Sequence, residues 1–589
     1  MNNNDRNAII SVYNKTNIVP FTKYLINKGY NIYSSGGTYK LLNKFLDNDK
    51  IMRISDITGF PEILNGRVKT LHPAIHGGIL AKKNNDNHKK DLDKHRINKF
   101  DIVAVNLYPF EQVLSSGEKD PEILMENIDI GGVTLIRSAA KNYSDVLVLT
   151  DPNDYQDVMT NWENIDNKMY AGKAFHHTCQ YDQVISSYFN DKYIYKTYVK
   201  EHKLKYGANP QQKEAIICRD ISKNTLPFTI LNGNPGYINI LDAIYSWNLV
   251  SNLSNLINNI SVASFKHNSP AGVAYYTPLT DIQKKAYFIS NDTYNNLSNT
   301  AIAYIKARNV DPMSSFGDFL AISHKVDVCT AKLISSEVSD GIIAPEFDVE
   351  ALNILKRKKG GRYIILEGVC TKPQTEIRDM HGVVLVQDEN IKNLHMTDIP
   401  DNIPDNIKMD MILANTTLKY TQSNSVCSAY NGQVLGVGAG QQSRIDCVKL
   451  VKRKTEIWHL RQHPKVLDLI DNFKKGVKRT HKINAIMRYI DGEFASADEY
   501  NNWLNLFSKE PTYFPELSQK DYLNTTTDIV LASDAFFPFR DNIDVASQFN
   551  IKYIVQPGGS VADDIIINAC KSYGIDMVLT GSDMRMFLH

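Results

Sequence analysis

Short apolar runs alternate with helical patterns over the first two hundred residues, and this alternation limits the possible folds more than any other feature. The predicted strands are residues 8–12, 30–33, 101–107 and 145–149. A predicted helix at residues 17–29 separates the first two. Strands separated by helices form βαβ units, in which parallel strands make a sheet with helices on both faces. The pattern therefore predicts an α/β domain over residues 1–198, with ligands bound at the carboxyl ends of its strands.

Residues 199–589 are expected to form a second, larger α/β unit, because 589 residues exceed what one hydrophobic core usually serves. The run 398–406 is polar and punctuated by prolines, so it does not fit a regular core element. It predicts a seam near residues 385–408 between two subdomains. Apolar runs that end in polar or Gly-rich segments lie on both sides of this seam, which indicates subdomains of similar design.

The charge and cysteine content argue against several classes of protein. The chain has 66 basic and 65 acidic residues, so its net charge of +1 favours neither nucleic acid nor a membrane as a partner. Seven scattered cysteines without a CxxC pair argue against a disulfide framework and a structural zinc site. No apolar run approaches membrane-spanning length, and residues 1–5 show no signal-peptide pattern. We therefore expect a cytoplasmic protein.

A candidate phosphate site follows the second predicted strand. Ser35-Gly36-Gly37-Thr38 joins that strand to a helix, where glycines let the backbone approach an anion and the helix N-terminus offers free N–H groups. An ordinary N-capped turn would give the same letters. Arg67 and Lys69 share one side of an extended segment and suit phosphate, although a solvated basic loop also fits. His72 and His76 are rejected as metal ligands, because a proline separates them and no third ligand is near.

Four polar residues near strand ends or helix starts suggest acid–base chemistry. They are Asn106, Tyr108, Asp129 and Lys141. An acid, a phenol and lysines that converge in a phosphate-binding domain would suit proton transfer on a small phosphorylated substrate. Spacing alone does not establish that these side chains converge.

Lys266 and His267 stand side by side after the apolar run 260–265. Pro270 and Gly272 are expected to stop that run from continuing as a regular element, which would leave the pair at a strand end. Imidazole is a competent general base near neutral pH, so the pair is a candidate catalytic group; an ordinary surface pair is the alternative. Three further loops are candidates for anion or ring binding, namely residues 311–319, 436–444 and 533–541.

A series of segments in order carries a resemblance to a known family. The segments are SSGGT, TGFPEILNGRVKTLHPAIHGGILA, NLYPF, IDIGGVTLIRSAAKN, YGANPQQ, SFKHNSPAG, MSSFGDF, SDGIIAP, KYTQSNSV, GAGQQSR and SDAFFPFRDN. With them the chain resembles, from residue 7 to residue 589, the bifunctional purine biosynthesis enzymes that join AICAR transformylase to IMP cyclohydrolase.

The resemblance implies a fold and two reactions. The first domain would be a methylglyoxal-synthase-like, doubly wound parallel sheet, and the second would be two cytidine-deaminase-like α/β subdomains without zinc. Residues 1–198 would close FAICAR to IMP by dehydration, and residues 199–589 would transfer a formyl group from 10-formyltetrahydrofolate to AICAR. The family is a homodimer with transformylase sites at the interface. Its chemistry requires no metal, and a bound monovalent cation is compatible with it.

The resemblance also assigns residues to the two sites. The catalytic residues it implies are Lys69, Tyr108, Asp129 and Lys141, with Lys141 foremost for proton transfer, and Lys266 and His267. The implied FAICAR and IMP contacts are Tyr13, Asn14, Lys15, Ser35, Gly36, Gly37, Thr38, Arg67, Val68, Lys69, Thr70, Val105, Asn106, Asp129 and Ile130. The implied AICAR contacts are Lys205, Tyr206, His267, Gly317, Asp340, Asn424, Arg444, Phe536 and Arg585, and the folate contacts are Ile445, Asp541, Ser560 and Val561.

Two positions depart from the family pattern. Lys205 stands where the family usually has arginine, which removes a bidentate phosphate contact and predicts weaker AICAR binding. Gln211 stands where the pattern has a histidine, which removes an auxiliary proton carrier. The alternatives are an enzyme with only one live site and a pseudoenzyme that senses purine nucleotides. A zinc deaminase is rejected because the thiolate ligands are missing.

Overall fold

The computed structural model describes residues 6–46, 49–370 and 375–589. Residues 1–5, on which the expectation about a signal peptide depends, lie outside the described part of the chain. The chain divides into two compact units, Met1–Lys196 and Thr197–His589. None of the helices within the described ranges is long and apolar enough to cross a membrane.

Five parallel strands form the sheet of the first unit, in the order β3-β2-β1-β4-β5. The strands are β1 (Arg6–Val12), β2 (Tyr30–Ser34), β3 (Ile51–Arg53), β4 (Ile102–Asn106) and β5 (Leu147–Leu149). Each neighbouring pair is parallel; in the central strand, Ile10 pairs with Ser34 on one side and with Ala104 on the other. The predicted parallel α/β sheet is confirmed. β3 escapes sequence prediction because three residues are too few to show a period.

Helices cover both faces of this sheet. They are α1 (Ile18–Asn27), α2 (Gly36–Leu46), α3 (Ile54–Thr58), α4 (Pro73–Leu80), α5 (Asp86–His95), α6 (Phe110–Ser115), α7 (Pro121–Glu126), α8 (Gly131–Lys141), α9 (Asp154–Thr160) and α10 (Asn167–Phe189). Side chains alternate between the faces along a strand. Ile10 therefore belongs to the core formed with α1, α2 and α9, whereas Ile9 belongs to the core formed with α4, α8 and α10.

The second unit is built on an eleven-stranded mixed sheet, in the order β20-β19-β18-β16-β17-β10-β9-β11-β12-β13-β8. Two hairpins, β6-β7 and β14-β15, stand apart from it. The strands are β6 (Tyr198–Lys203), β7 (Ile216–Asp220), β8 (Phe228–Asn232), β9 (Ser261–Lys266), β10 (Ser269–Tyr275), β11 (Asp318–Ile322), β12 (Ser339–Ala344), β13 (Ile364–Gly368), β14 (Thr375–Met380), β15 (Val383–Asp388), β16 (Val426–Tyr430), β17 (Gln433–Gly438), β18 (Ile529–Ser533), β19 (Ile551–Gln556) and β20 (Asp576–Leu579).

Helices also cover both faces of the large sheet. They are α11 (Tyr237–Ile257), α12 (Asp281–Ala286), α13 (Asn291–Tyr294), α14 (Asn299–Arg308), α15 (Val328–Ser336), α16 (Val349–Arg357), α17 (Asp405–Lys419), α18 (Arg444–Leu460), α19 (Pro464–Asp471), α20 (Arg479–Asp491), α21 (Ala497–Leu504), α22 (Glu516–Leu523), α23 (Asp541–Ala546) and α24 (Asp563–Tyr573). One core contains α11 and α17 together, so it is common to both halves of the sheet. Two further cores lie under α14, α15 and α16 and under α18, α23 and α24.

The large sheet contains the same arrangement of strands twice. In the first half β9 pairs antiparallel with β10 and β11, and β11, β12 and β13 follow in parallel. In the second half β16 pairs antiparallel with β17 and β18, and β18, β19 and β20 follow in parallel. The halves join where β10 meets β17. The segment between the halves, residues 389–404, contains no strand or α-helix, and it overlaps the seam expected from the sequence.

Strand direction brings many loops to one edge of this sheet. The chain leaves the sheet at this edge after β9, β17, β18, β19 and β20, and it enters at the same edge before β11, β12 and β16. We call this the loop edge. Both halves therefore contribute loops to one surface of the second unit.

Candidate active sites

A cavity of about 660 Å³ opens at the carboxyl ends of β1, β2 and β4 in the first unit. Its walls are the segments that follow those strands, the segment between α3 and α4, and the residues before and at the N-terminal end of α8. Ligands bind at this edge of parallel α/β sheets, where strand ends and helix N-termini converge. The predicted residues that line the cavity are Tyr13, Lys15, Ser35, Gly36, Gly37, Thr38, Arg67, Lys69, Thr70, Asn106, Tyr108, Asp129 and Ile130.

The glycine turn on the cavity wall begins α2. Gly36 has φ of 46°, and a Cβ built on it would lie 3.6 Å from Lys69 Nζ, so this backbone is close to a cation. The Thr38 hydroxyl donates to Val12 O at 2.9 Å and accepts from Val12 N at 3.2 Å. Thr38 is therefore occupied in fixing the turn to β1. An anion here would meet the helix N–H groups and Lys69 rather than this hydroxyl.

Three cations line the cavity. Lys15 Nζ donates to Val12 O and Tyr13 O, both at 3.1 Å, and burial lowers the pKa of Lys15. Lys69 Nζ lies 3.6 Å from Glu62 Oε2. Arg67 forms an ion pair with Glu126, which the sequence did not single out, and Arg67 remains 65% exposed. Their positive charges suit a phosphorylated ligand, with Glu126 as a competing anion for Arg67.

Asp129 precedes α8 and is fixed from two sides. Its Oδ1 accepts from Gly132 N at 2.6 Å, and its backbone N–H donates to Tyr181 Oη at 2.8 Å. Burial raises the pKa of Asp129, while hydrogen bonds from Gly132 and Tyr108 oppose the rise. A carboxyl group with a raised pKa can hold a proton closer to neutral pH and can act as acid or base.

Lys141 is not brought to this cavity. It is the exposed last residue of α8, and Asp129 precedes the first turn of that helix. Gly131 and Lys141 are ten positions apart, which places them about 15 Å apart along the helix axis. The sequence motif contains both the acid and this lysine, but the length of α8 separates them.

Three other predicted contacts do not line the cavity. They are Asn14, Val68 and Val105. Asn14 still touches its rim, because its backbone N–H donates to Asn106 Oδ1 at 2.8 Å and its carbonyl accepts from Asn106 Nδ2 at 3.0 Å. Val105 is only 1% exposed and lies in the core.

Lys266 and His267 lie at the loop edge of the second unit, at the tip of the β9–β10 hairpin. The expectation that Pro270 and Gly272 end regular structure is wrong, because both lie within β10, where the pairing register shifts between them. A Cβ on Gly272 would lie 2.1 Å from Ala307 O, so this glycine permits the close approach of α14. The chain thus turns tightly through His267 and returns as a strand.

The loop before β11 supports the lysine. Lys266 Nζ donates to Phe316 O at 2.5 Å, and the next residue, Gly317, has φ of 72°. Asp340 is the second residue of β12, beside this loop, and pairs with Lys359 at 2.5 Å. His267 is exposed. The first half of the sheet therefore gathers Lys266, His267, Gly317 and Asp340 at the loop edge, which we call the first group.

Arg444 and Asn424 lie together at the loop edge in the second half. Arg444 Nη2 donates to Asn424 Oδ1 at 2.9 Å, and Arg444 Nη1 contacts Asp534 and Ser533 Oγ, the latter at 2.8 Å. Arg444 is 7% exposed, so its guanidinium bonds mainly to other groups of the protein. Asp534, a residue that the sequence did not distinguish from its other acids, is its buried counter-ion.

The remaining contacts implied for the second half surround this pair. Arg585 stacks on Phe536 with its guanidinium carbon 5.6 Å from the ring centre. Phe537, by contrast, is fully buried in the core, so only part of the aromatic cluster is available to a ligand. Ile445, Asp541, Ser560 and Val561 lie at or before the starts of α18, α23 and α24. With Asn424, Arg444, Phe536 and Arg585 they form the second group.

The segment with the lysine departure lies beside the sheet. Lys205 N donates to Pro235 O at 3.3 Å, which ties it to the loop after β8 at the loop edge. Lys205 Nζ lies 5.4 Å from the Tyr206 ring centre. Gln211 is exposed farther along the same loop.

The first and second groups do not meet within one chain. β9 and β16 are three positions apart in the sheet, which corresponds to about 14 Å at the usual strand spacing. Asp340 on β12 and Phe536 after β18 are farther apart still. The two groups therefore lie on separate halves of the loop edge.

No group of three or more potential metal ligands occurs within residues 6–46, 49–370 and 375–589. All seven cysteines are free thiols, and burial raises the pKa of the Cys447 thiol to about 11. These thiols are scattered over the fold and gather at neither candidate site.

Comparison with known proteins gives a consistent set of matches. The MGS-like domain profile matches residues 17–134, and the AICARFT/IMPCHase bienzyme profile matches residues 139–454. A protein of Aquifex aeolicus named bifunctional purine biosynthesis protein PurH is 35% identical over 600 residues, covering 99% of this chain and 100% of the relative. Proteins of the same name from Persephonella marina and Clostridium botulinum are 34% and 35% identical, with the same coverage.

Proposed function

Because the chain belongs to the AICARFT/IMPCHase bienzyme family, we propose that its first unit carries the cyclohydrolase and its second unit the transformylase. The chain is a bifunctional enzyme of purine biosynthesis that formylates AICAR and closes the product, FAICAR, to IMP. The division between units is supported by the separate MGS-like match at residues 17–134 and by a candidate site in each unit.

The first cavity suits ring closure. The convergence of Lys15, Lys69 and Asp129 in one cavity carries this assignment. The ribotide phosphate would lie against the N-terminus of α2 and the two lysines, which leaves the carboxamide and formyl groups near Asp129 and Tyr108. The carboxamide nitrogen attacks the formyl carbon, and the formyl oxygen leaves as water after it has gained one proton from that nitrogen and one from the formamide nitrogen. Asp129 has the raised pKa that suits the transfer of those protons.

Ring closure of supplied FAICAR, followed by absorbance, tests this group. Asp129→Asn should lower kcat about 10²-fold, since a positioned acid or base contributes roughly 10²- to 10⁴-fold. Lys141→Ala should have a much smaller effect, because Lys141 lies at the far end of α8. An equal loss in the two variants would return Lys141 to the catalytic group. It would contradict the assignment of that group to the residues that line this cavity.

The loop edge of the second unit suits formyl transfer. His267 would take a proton from the AICAR amine as that nitrogen attacks the formyl carbon of 10-formyltetrahydrofolate. Lys266 would stabilise the developing oxyanion or give a proton to the departing folate nitrogen. Gly317 and Asp340 would contact AICAR from the first half of the sheet, and the folate would lie over Ile445, Asp541, Ser560 and Val561. The placement of all these residues at one sheet edge supports the assignment.

We assign the complete transformylase site to a homodimer. The first and second groups are about 14 Å or more apart in one chain, so a second copy would supply the missing group to each site. Val561 in the second group is fully exposed, as expected of a contact that a ligand or partner covers. The β14–β15 hairpin exposes a further apolar surface, from Val383 to Val386, each 43% exposed or more.

The homodimer is tested by measuring the molecular mass in solution and both activities on the same variant. Val384→Glu places a charge in the exposed β15 strand and should shift the protein towards a monomer. Formylation should fall in proportion to dimer loss, while ring closure in the first unit should persist. A monomeric protein with full formylation would refute a shared site.

The cysteines and the family resemblance support proposals on location and partners. A cytoplasmic location fits seven free thiols, which are typical of a reducing compartment. Small molecules are its expected partners, and a monovalent cation remains an expectation from the family resemblance alone.

A further inference from the structure

The β9–β10 turn has an unusual composition for its shape. Lys266 pairs with Ser269, which leaves His267 and Asn268 as a two-residue turn. Their φ angles are 53° and 64°, so both are left-handed, as in a type I′ hairpin. Such turns favour Asn-Gly or Asp-Gly, because most side chains disfavour left-handed backbone. His267 therefore occupies a turn position at which asparagine, aspartate or glycine is usual.

The repeated half of the sheet contains the matching turn. In the β16–β17 hairpin, Tyr430 pairs with Gln433 and leaves Asn431 and Gly432 at the tip. Their φ angles are 47° and 75°. Here the residues are the preferred Asn-Gly pair, so the residue types themselves favour the left-handed backbone of this turn. This turn lies at the edge opposite the loop edge and carries neither lysine nor histidine.

Each turn is contacted by a buried carboxylate of its own half, from α11 in the first half and from the equivalent helix α17 in the second. Asp242 of α11 accepts from Asn268 N at 2.7 Å, and Asp410 of α17 accepts from Gly432 N at 2.8 Å. Asp242 is 6% exposed and Asp410 is 1% exposed. Burial raises the pKa of each to about 6. The same carboxylate-to-turn bond thus occurs twice, once beside the candidate base and once away from it.

We propose that Asp242 is a positioning residue for formyl transfer, holding through Asn268 N–H the left-handed turn that presents Lys266 and His267 to the substrates. This inference rests on the proposed role of His267. The Asn268 side-chain oxygen is buried and has no hydrogen-bond partner in the described part of the chain, so it does not hold the turn itself. Asp242 acts on the backbone of the turn and is not itself placed on the substrate.

Formylation and ring closure measured on the same full-length protein test the proposal. Asp242→Ala should lower kcat of formylation at least about tenfold, a part of the 10²- to 10⁴-fold that a positioned base contributes. The AICAR KM should change less than threefold, and kcat of ring closure less than twofold. An unchanged kcat of formylation would overturn the inference.

Rescue separates a positioning role from a merely structural one. Glycine at position 268 favours left-handed backbone, so Asn268→Gly in the Asp242→Ala background should restore kcat to within about threefold of the wild type. Asp242→Asn keeps an acceptor oxygen and should also retain kcat within about threefold. A double variant as impaired as Asp242→Ala would refute positioning through the turn. If Asp242→Ala does not fold, Asp242→Ser takes its place in the same comparison.

Asp410→Ala is the matched control. It removes the equivalent bond from the Asn431-Gly432 turn, so it should lower the melting temperature without a selective loss of formylation kcat. An equal loss of kcat in Asp410→Ala would mean that the effect is general destabilisation. Failure of the proposed function is distinguishable from failure of this inference. It would appear as full formylation by His267→Ala, independently of the result for the Asp242 variants.

Discussion

Asp534→Ala should strongly destabilise the second unit, because Asp534 is the counter-ion of a buried arginine. The Asp534 side chain is 0% exposed and that of Arg444 is 6% exposed. Asp534 Oδ2 also accepts from Ser423 Oγ at 2.6 Å and from Ser425 N at 3.0 Å. Alanine would leave a buried guanidinium and two further donors without this acceptor.

The magnitude follows from burial. Removing one partner of a buried ion pair costs about 3 to 5 kcal/mol, because the remaining charge stays desolvated. With a urea m-value of about 3 kcal/mol per M, this corresponds to a fall in the unfolding midpoint of about 1 to 1.7 M. Asp534→Asn keeps an acceptor for the serine donors and should lose less.

Tryptophan fluorescence during urea unfolding measures the effect. Trp247, Trp458 and Trp503 belong to the second unit. Glu346→Ala is the control, because its ion pair with Lys325 at 3.0 Å is exposed and should shift the midpoint by less than about 0.3 M. A shift for Asp534→Ala as small as the control's would refute the view that Asp534 neutralises a buried charge.

Three further outcomes are expected. Glu126→Gln should free Arg67 for the substrate phosphate and lower the FAICAR KM by up to about threefold at low salt, in steady-state ring-closure assays; a raised KM would contradict competition by Glu126. Lys205→Arg should lower the AICAR KM about fivefold by restoring a bidentate contact, and an unchanged KM would mean that Lys205 does not meet the phosphate. Burial lowers the pKa of His459 to about 4, so its neutral imidazole contributes stability that is lost as pH falls from about 6.5 to 4. In His459→Gln the urea unfolding midpoint should therefore change less with pH across that range. An unchanged pH dependence of the midpoint would exclude His459 as its source.

The sequence predicts the first unit well because its signals are local. Apolar runs such as residues 8–12 predict a parallel sheet, and the glycine turn at residues 35–38 indicates its ligand-binding edge. The helix that separates Asp129 from Lys141 is also local, yet the motif that contains both suggests one site. Only the length of α8 shows that about 15 Å of helix lies between them.

The second unit is harder to predict because its key partners are distant in sequence. Asp534 lies 90 residues from Arg444, and nothing distinguishes it from other acids until the strands bring them together. Gly272 is misleading, because a close helix requires it inside a strand. The sequence indicates two subdomains of similar design, but the repeat itself is found in the strand order and in the bonds of Asp242 and Asp410 rather than in matching residues.

His267→Ala, assayed in both reactions, tests most directly the proposal that two separate sites carry them. Folate-dependent formylation of AICAR should fall by roughly 10²- to 10⁴-fold, because the variant lacks the proposed base. Ring closure of supplied FAICAR should keep the wild-type rate, because the cavity proposed for that reaction is lined only by residues of the first unit. Full formylation, or a parallel loss of both activities, would contradict the two-site account.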